Sequence, residues 1–178
     1  QFISVEEFEH FLADGTGLPS KAILLTFDDC YTDLLNAALP ILEEKKISAL
    51  AFAVSHCMGG TNIWDKALGA PQLRLLNAGE LLEASRRGIE VGSHSRTHPQ
   101  LTKTSDEQLQ AEIGGSLEDL EATGLKRPRF LAYPFGDQDR RVRQAAGAAG
   151  IIGAFTVAPG VFRGNSDPLC IPRIEILR

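Results

Sequence analysis

The chain has 178 residues, 43% apolar and 23% charged, the composition of a globular domain with room for a real core. Its net charge of −5 comes without a basic run, which argues against nucleic acid or an anionic membrane surface as the main partner. No apolar run reaches transmembrane length, and three cysteines (Cys30, Cys57, Cys170) at no motif spacing argue against a disulfide framework.

The run AILLTF over 22–27 is continuous and apolar, the pattern of a strand buried on both faces. From Asp33 to about Lys45 the apolar spacing predicts a helix, with Pro40 kinking it or marking a tight end. A second buried strand follows over 47–54. Residues 55–76, with Gly59, Gly60, Gly69 and Pro71, read as a long loop or insertion of the kind that often carries function. A helix at about 78–87 stops at Gly88, and IEVGS (89–93) is a third strand. Ser105 and Gln108 form a capping box for a helix that places Leu109, Ile113, Leu117 and Leu120 on one face and stops at Gly124. Gly114 and Gly115 inside it cost about 1 kcal/mol each relative to Ala, which suggests close packing there. A fourth strand (129–133), a helix (about 138–149, ending at Gly150), a fifth strand (151–157) and a sixth (171–177) complete the chain.

Alternating strands and helices predict a parallel sheet with right-handed crossovers. Two architectures satisfy this, a (β/α) barrel and a doubly wound open sheet. Both gather function at the C-terminal ends of the strands. Three polar clusters fall there: Asp28 and Asp29 after the first strand, SHSRTHP (93–99) after the third, and YPFGD (133–137) after the fourth.

His94 and His98 are spaced i, i+4, but Pro99 argues against a helix, since the residue before proline is pushed out of the α region. A loop can also converge two imidazoles on one ion. A histidine pair alone is ordinarily a satisfied structural pair. Two imidazoles and a carboxylate on one rim instead form a common ligand set for a divalent metal with open positions. One carboxylate of the Asp28–Asp29 doublet would ligate. The other would stay free beside the ion to take a proton from water that the ion has acidified. An acidic turn capping the next helix suits Asp33 and leaves the doublet unexplained.

TFDDCYTD, SHSRTHP and YPFG, in that order, resemble the first three motifs of the polysaccharide deacetylase family, also called carbohydrate esterase family 4 or the NodB homology domain. The resemblance runs from about Pro19 to the end of the chain, and Phe52 fits the family's second strand. It implies an α/β fold, a distorted, incomplete (β/α) barrel. It also implies metal-dependent removal of N-acetyl, sometimes O-acetyl, groups from a glycan. Carried onto this sequence, Asp28 is the general base, and Asp29, His94 and His98 hold the metal, usually Zn2+, in some members Co2+ or another divalent ion. The backbone N–H of Phe135 serves the oxyanion, and Tyr133, Pro134 and Gly136 shape the substrate-facing loop. The resemblance also implies action outside the cytoplasm, in the periplasm or cell envelope or after secretion.

Four departures stand out. The residue after the Asp pair is usually Gly and here is Cys30, which strains the loop if that position needs φ > 0. The Arg that many members carry before the third motif is replaced by Ala132, and Arg173 is a substitute from another strand end. No His follows His98 to act as the family's late general acid, and neither His10 nor His56 matches it. The Trp of the fourth motif is not evident.

The second and third departures resemble the branch that deacetylates poly-β-1,6-N-acetylglucosamine, in which the motif order is permuted and the opening QFISVEEFEHFLADG looks like the helix after an upstream motif. The expectation is then a single domain over 1–178, truncated at its N-terminus, with the general acid before Gln1. Trp64 either stacks on a sugar ring or packs internally, packing being the commoner role of a lone Trp. Two other readings remain: hydrolysis of a different amide or ester, and a carbohydrate-binding module that has lost catalysis. Linkage and oligomeric state are not legible.

Overall fold

The computed structural model describes residues 1–176. All six strands belong to one sheet in the order β1-β2-β3-β4-β5-β6, every neighbouring pair parallel. They are β1 Thr26–Phe27, β2 Ala49–Ala53, β3 Ile89–Ser93, β4 Phe130–Ala132, β5 Gly153–Pro159 and β6 Ile171–Arg173. Among the described residues five α-helices accompany them: α1 Val5–Asp14, α2 Leu39–Lys45, α3 Ala78–Arg86, α4 Asp106–Ala122 and α5 Arg140–Ala148. The sheet curls without closing. β1 and β6 share no ladder, yet the Arg173 side chain at the end of β6 reaches Thr26 and Asp28 at the end of β1. This is the incomplete barrel, and it resolves the two architectures in favour of the first.

Alternation along the strands sorts the core. In β2, Leu50 and Phe52 point to the concave side, where they pack with Phe130, Phe155 and the α1 residues Val5 and Phe8. Ala49, Ala51 and Ala53 point outward beneath α2 and α3. Leu131 and Ala154 face outward under α4 and α5. Both faces of each central strand are therefore buried, which is why the strands read as continuous apolar runs. Gly92 is required by this packing, because a Cβ there would lie 2.6 Å from the Phe52 ring.

The helix ends follow their caps. Ser105 accepts the Gln108 N–H while Gln108 accepts that of Ser105, and Gly124 has the positive φ of a helix stop. The opening stretch is a helix with its own capping box, Ser4 and Glu7. The Pro40 expectation resolves as a widened turn. Proline has no N–H to donate, and ahead of it the Leu39 N–H reaches back five residues to Leu34 O before α2 begins.

Three expectations need correction. The first strand, read over 22–27, pairs with β2 only at Thr26 and Phe27, because its first half leaves β2 and Ile23 bridges instead to Phe2 of the N-terminal segment. The sixth strand ends at Arg173, and Leu177 of the expected range lies outside the described residues. Gly114 permits no close packing, since a Cβ there would meet open space; Gly115 does, with the Arg96 side chain 3.3 Å from its would-be Cβ.

Candidate active site

The three polar clusters meet on one rim. After β1 the chain turns sharply, with the Cys30 N–H donating to Asp28 O at 2.9 Å. Asp29 and Cys30 both take positive φ, 66° and 56°. The turn sends neighbouring carboxylates to different partners. Asp28 receives both terminal nitrogens of Arg173, each at 2.7 Å, while the Arg173 Nε donates to Thr156 O on β5 at 2.9 Å. Asp29 turns to the histidines, its Oδ1 lying 3.6 Å from His94 Nε2 and 3.7 Å from His98 Nε2.

After β3, His94 donates its backbone N–H to Ala53 O, and its Nδ1 lies 2.7 Å from Ala132 O. A carbonyl can only accept, so Nδ1 carries a proton, and Nε2 is the nitrogen turned toward Asp29. Ser95 and His98 take positive φ, and the His98 N–H is held by the Ser95 hydroxyl at 3.0 Å. Helix α4 clamps the loop between them. Glu112 accepts the N–H groups of Arg96 and Thr97, Ser116 meets Ser93 at 2.6 Å, and Asp119 takes a bidentate contact from Arg96. Glu112, Ser116 and Asp119 escaped the sequence reading. Their only signal is a polar stripe at i, i+4, i+7 beside the apolar face of α4.

After β4, the short turn Pro134–Gly136 carries Phe135 at φ 59°, half-exposed, its ring edge-on to His98 at 4.6 Å. Gly136 is forced, because a Cβ there would lie 2.4 Å from Val157. Tyr133 and Pro134 are buried, and the Tyr133 hydroxyl donates to Leu169 O. Neither side chain is open to the rim; both shape the loop that carries Phe135. Trp64 arrives from the 55–76 insertion, a strap tied down by antiparallel bridges Tyr31–Leu75 and Thr61–Arg74, and stacks on His98 at 4.3 Å. His10 lies exposed on α1 and His56 pairs with Asp119 at 3.4 Å, so neither belongs to the cluster.

Electrostatics separates the two acids. Burial opposes ionisation of Asp28, but the Arg173 hydrogen bonds, reinforced by His94 and by the Arg173 charge, hold its carboxyl below the ordinary value. Asp29 is pushed up, first by burial and further by the charge of Asp28, against a partial counter-pull from His94. Burial next to His94 pushes His98 down to about 3, so its ring is neutral and can ligate. Ligand atoms of Asp29, His94 and His98 all lie within 4.8 Å of one another, and Asp29 Oδ1 is buried with no hydrogen-bond partner. An orphaned carboxylate oxygen facing two imidazole Nε2 atoms fits a divalent cation: the donor set is right, and a cation satisfies the buried carboxylate.

Cys30 is buried in the core beneath this turn, and burial with the two neighbouring acids drives its thiol well above its ordinary range. It is inert as a nucleophile. A left-handed non-Gly residue costs about 1–2 kcal/mol, while Gly forfeits roughly 0.5–1 kcal/mol of chain entropy and here also the packed thiol. Cys30→Gly is accordingly expected to shift unfolding free energy by less than about 1 kcal/mol in a denaturant melt. A loss of several kcal/mol would show that the left-handed turn is not what constrains this position.

The family model described as polysaccharide deacetylase matches residues 15–154. The chain belongs to the polysaccharide deacetylase family. Among curated relatives, chitin deacetylase 3 of Cryptococcus neoformans is 34% identical over 138 residues, 77% of this chain and 30% of that protein. The poly-β-1,6-N-acetyl-D-glucosamine N-deacetylase of Staphylococcus aureus is 24% identical over 185 residues, covering 99% of this chain and 61% of its own length. The chain thus spans less than two thirds of either. The solved deacetylase PplD of Streptococcus pyogenes, in complex with acetate, superposes with a TM-score of 0.85 at 24% identity, over 99% of this chain and 74% of that one. The two share the curled half-barrel fold. No helix among the described residues is long and apolar enough to cross a membrane.

Proposed function

We propose that this polysaccharide deacetylase is a metal-dependent hydrolase that removes N-acetyl groups from an N-acetylglucosamine-containing glycan. The observation that carries the reading is the division of the doublet. Asp29 Oδ1 sits orphaned against His94 and His98, while Asp28 beside it is held ionised by Arg173.

Asp29, His94 and His98 would hold the ion, most simply Zn2+ given the mixed imidazole and carboxylate donors. A divalent ion there supplies Lewis acidity, polarising the amide carbonyl and lowering the pKa of water. The chain's own residues do the rest. Asp28 accepts the proton of the attacking water, Arg173 keeps that carboxylate ionised and aimed, and the proton ends on the departing amine as the C–N bond breaks and acetate forms. The Phe135 backbone N–H offers a hydrogen bond to the oxygen that gains charge. Tyr133, Pro134 and Gly136 set the height of that loop. A half-exposed Phe135 next to the metal ligands gives an apolar surface for a sugar face. Family resemblance supports a single such domain acting outside the cytoplasm.

The test is acetate release from β-1,6 and β-1,4 N-acetylglucosamine oligomers and peptidoglycan fragments, before and after chelation. Activity should disappear with chelator and return with Zn2+ or Co2+. Tight metal binding with no acetate from any substrate would instead support the binding-module reading.

A further inference from the structure

We infer that Trp64 is a positioning residue for the metal centre: its indole, rather than a hydrogen bond, fixes the orientation of the His98 imidazole. The inference rests on the metal reading of Asp29, His94 and His98 given above.

The two histidines are supported differently. His94 has its second ring nitrogen on Ala132 O at 2.7 Å, the usual arrangement for a ligating imidazole. His98 has no such support, because its Nδ1 is buried without a hydrogen-bond partner. A ring lacking that bond is free to rotate about its side-chain torsions unless packing stops it. Here packing does. Trp64 lies on the His98 face, centroids 4.3 Å apart and planes 22° from parallel. Phe135 meets the ring edge-on at 4.6 Å and 73°, and His94 does so at 4.7 Å and 79°.

Trp64 is itself held. Asn62, buried two residues earlier, donates to Asp65 Oδ2 and Pro71 O and accepts the Leu73 N–H, which staples both limbs of the strap. The stack also has an electronic consequence. An imidazole that gives its lone pair to a cation becomes electron-poor, and the electron-rich indole face stabilises it. The stack therefore favours the ligated state of His98 over the free one. It also takes one face of the indole, so Trp64 is not a freely available sugar platform.

Trp64 is the single tryptophan of the chain, which gives a readout independent of turnover. The experiment compares the full chain with Trp64→Phe and Trp64→Ala, each stripped with chelator and titrated with Zn2+ against a chromophoric competitor. Circular dichroism checks the fold of each variant. The Ala variant should bind zinc about 10–100-fold more weakly, with Phe restoring most of the affinity. In the unsubstituted chain, tryptophan emission should change on adding zinc and saturate at one equivalent, and cobalt should quench it. Equal zinc affinity in the original chain and a folded Ala variant overturns the inference and leaves the metal reading intact. If the Ala variant does not fold, emission decides: no change at one bound equivalent overturns it. An original chain that binds no zinc overturns the metal reading, and this inference with it.

Discussion

Asp28→Asn is expected to cut acetate release by about 10²–10⁴-fold while metal content stays unchanged. Asn is nearly isosteric and still offers Arg173 one oxygen, so the rim should keep its shape. What disappears is the negative charge that accepts the water proton. Metal should stay because the proposed ligands are Asp29, His94 and His98, with Asp28 turned away toward Arg173. His94→Ala should behave oppositely. It deletes the Nε2 donor and releases Ala132 O, so metal and activity should be lost together. Metal analysis by mass spectrometry beside an acetate assay separates the two variants. If Asp28→Asn retained more than about a tenth of the activity, the base would have to be sought elsewhere on the rim.

That contrast was partly legible before any coordinates. Two acids after an apolar run, and two histidines in a loop before proline, pointed to a ligand set because topology puts strand ends on one rim. The runs themselves were legible because helices cover one face of the sheet and α1 the other, leaving little alternation to misread. What the sequence hid was the second layer. Glu112, Ser116 and Asp119 lie in the middle of α4, where polar residues ordinarily face solvent; only the tertiary fold sets them against the 93–98 loop. Trp64 stands out in the sequence as a stacking or packing residue, but its place against His98 is not legible there, since a strap's landing place depends on bridges such as Thr61–Arg74 rather than on local propensity. The short β1 is overread for a related reason: the apolar run 22–27 is continuous, but its first half pairs with the N-terminal segment at Phe2 and only Thr26 and Phe27 join β2. Cys30 fell between. The expectation of a positive φ rests on the family resemblance, in which Gly usually stands there, and the observed 56° agrees with it.

Arg173→Met should be the most damaging substitution for stability. It keeps length and apolar stem but removes the charge that crosses the seam between β6 and β1. Breaking a buried ion pair costs about 3–5 kcal/mol; the Asp28 side chain is 33% exposed, so about 2–3 kcal/mol is the expected loss at neutral pH. The pH dependence distinguishes this from lost packing. In the native protein Asp28 is held below the ordinary aspartate value of about 4. It therefore contributes stability above that value, and the contribution is lost as pH falls through the lower folded value. Without Arg173, burial dominates and lifts the carboxyl above its ordinary value, so the variant gains relative stability on acidification. The stability gap between the two proteins should be widest near neutrality and narrow below about pH 4, where Asp28 is increasingly protonated in both. Activity should carry the same signature, with the acid limb of kcat/KM moving to higher pH in the variant. A gap that stays constant from neutral to acid would mean that Arg173 serves as packing across the seam. One that closes would identify its charge as what keeps Asp28 ionised as a base.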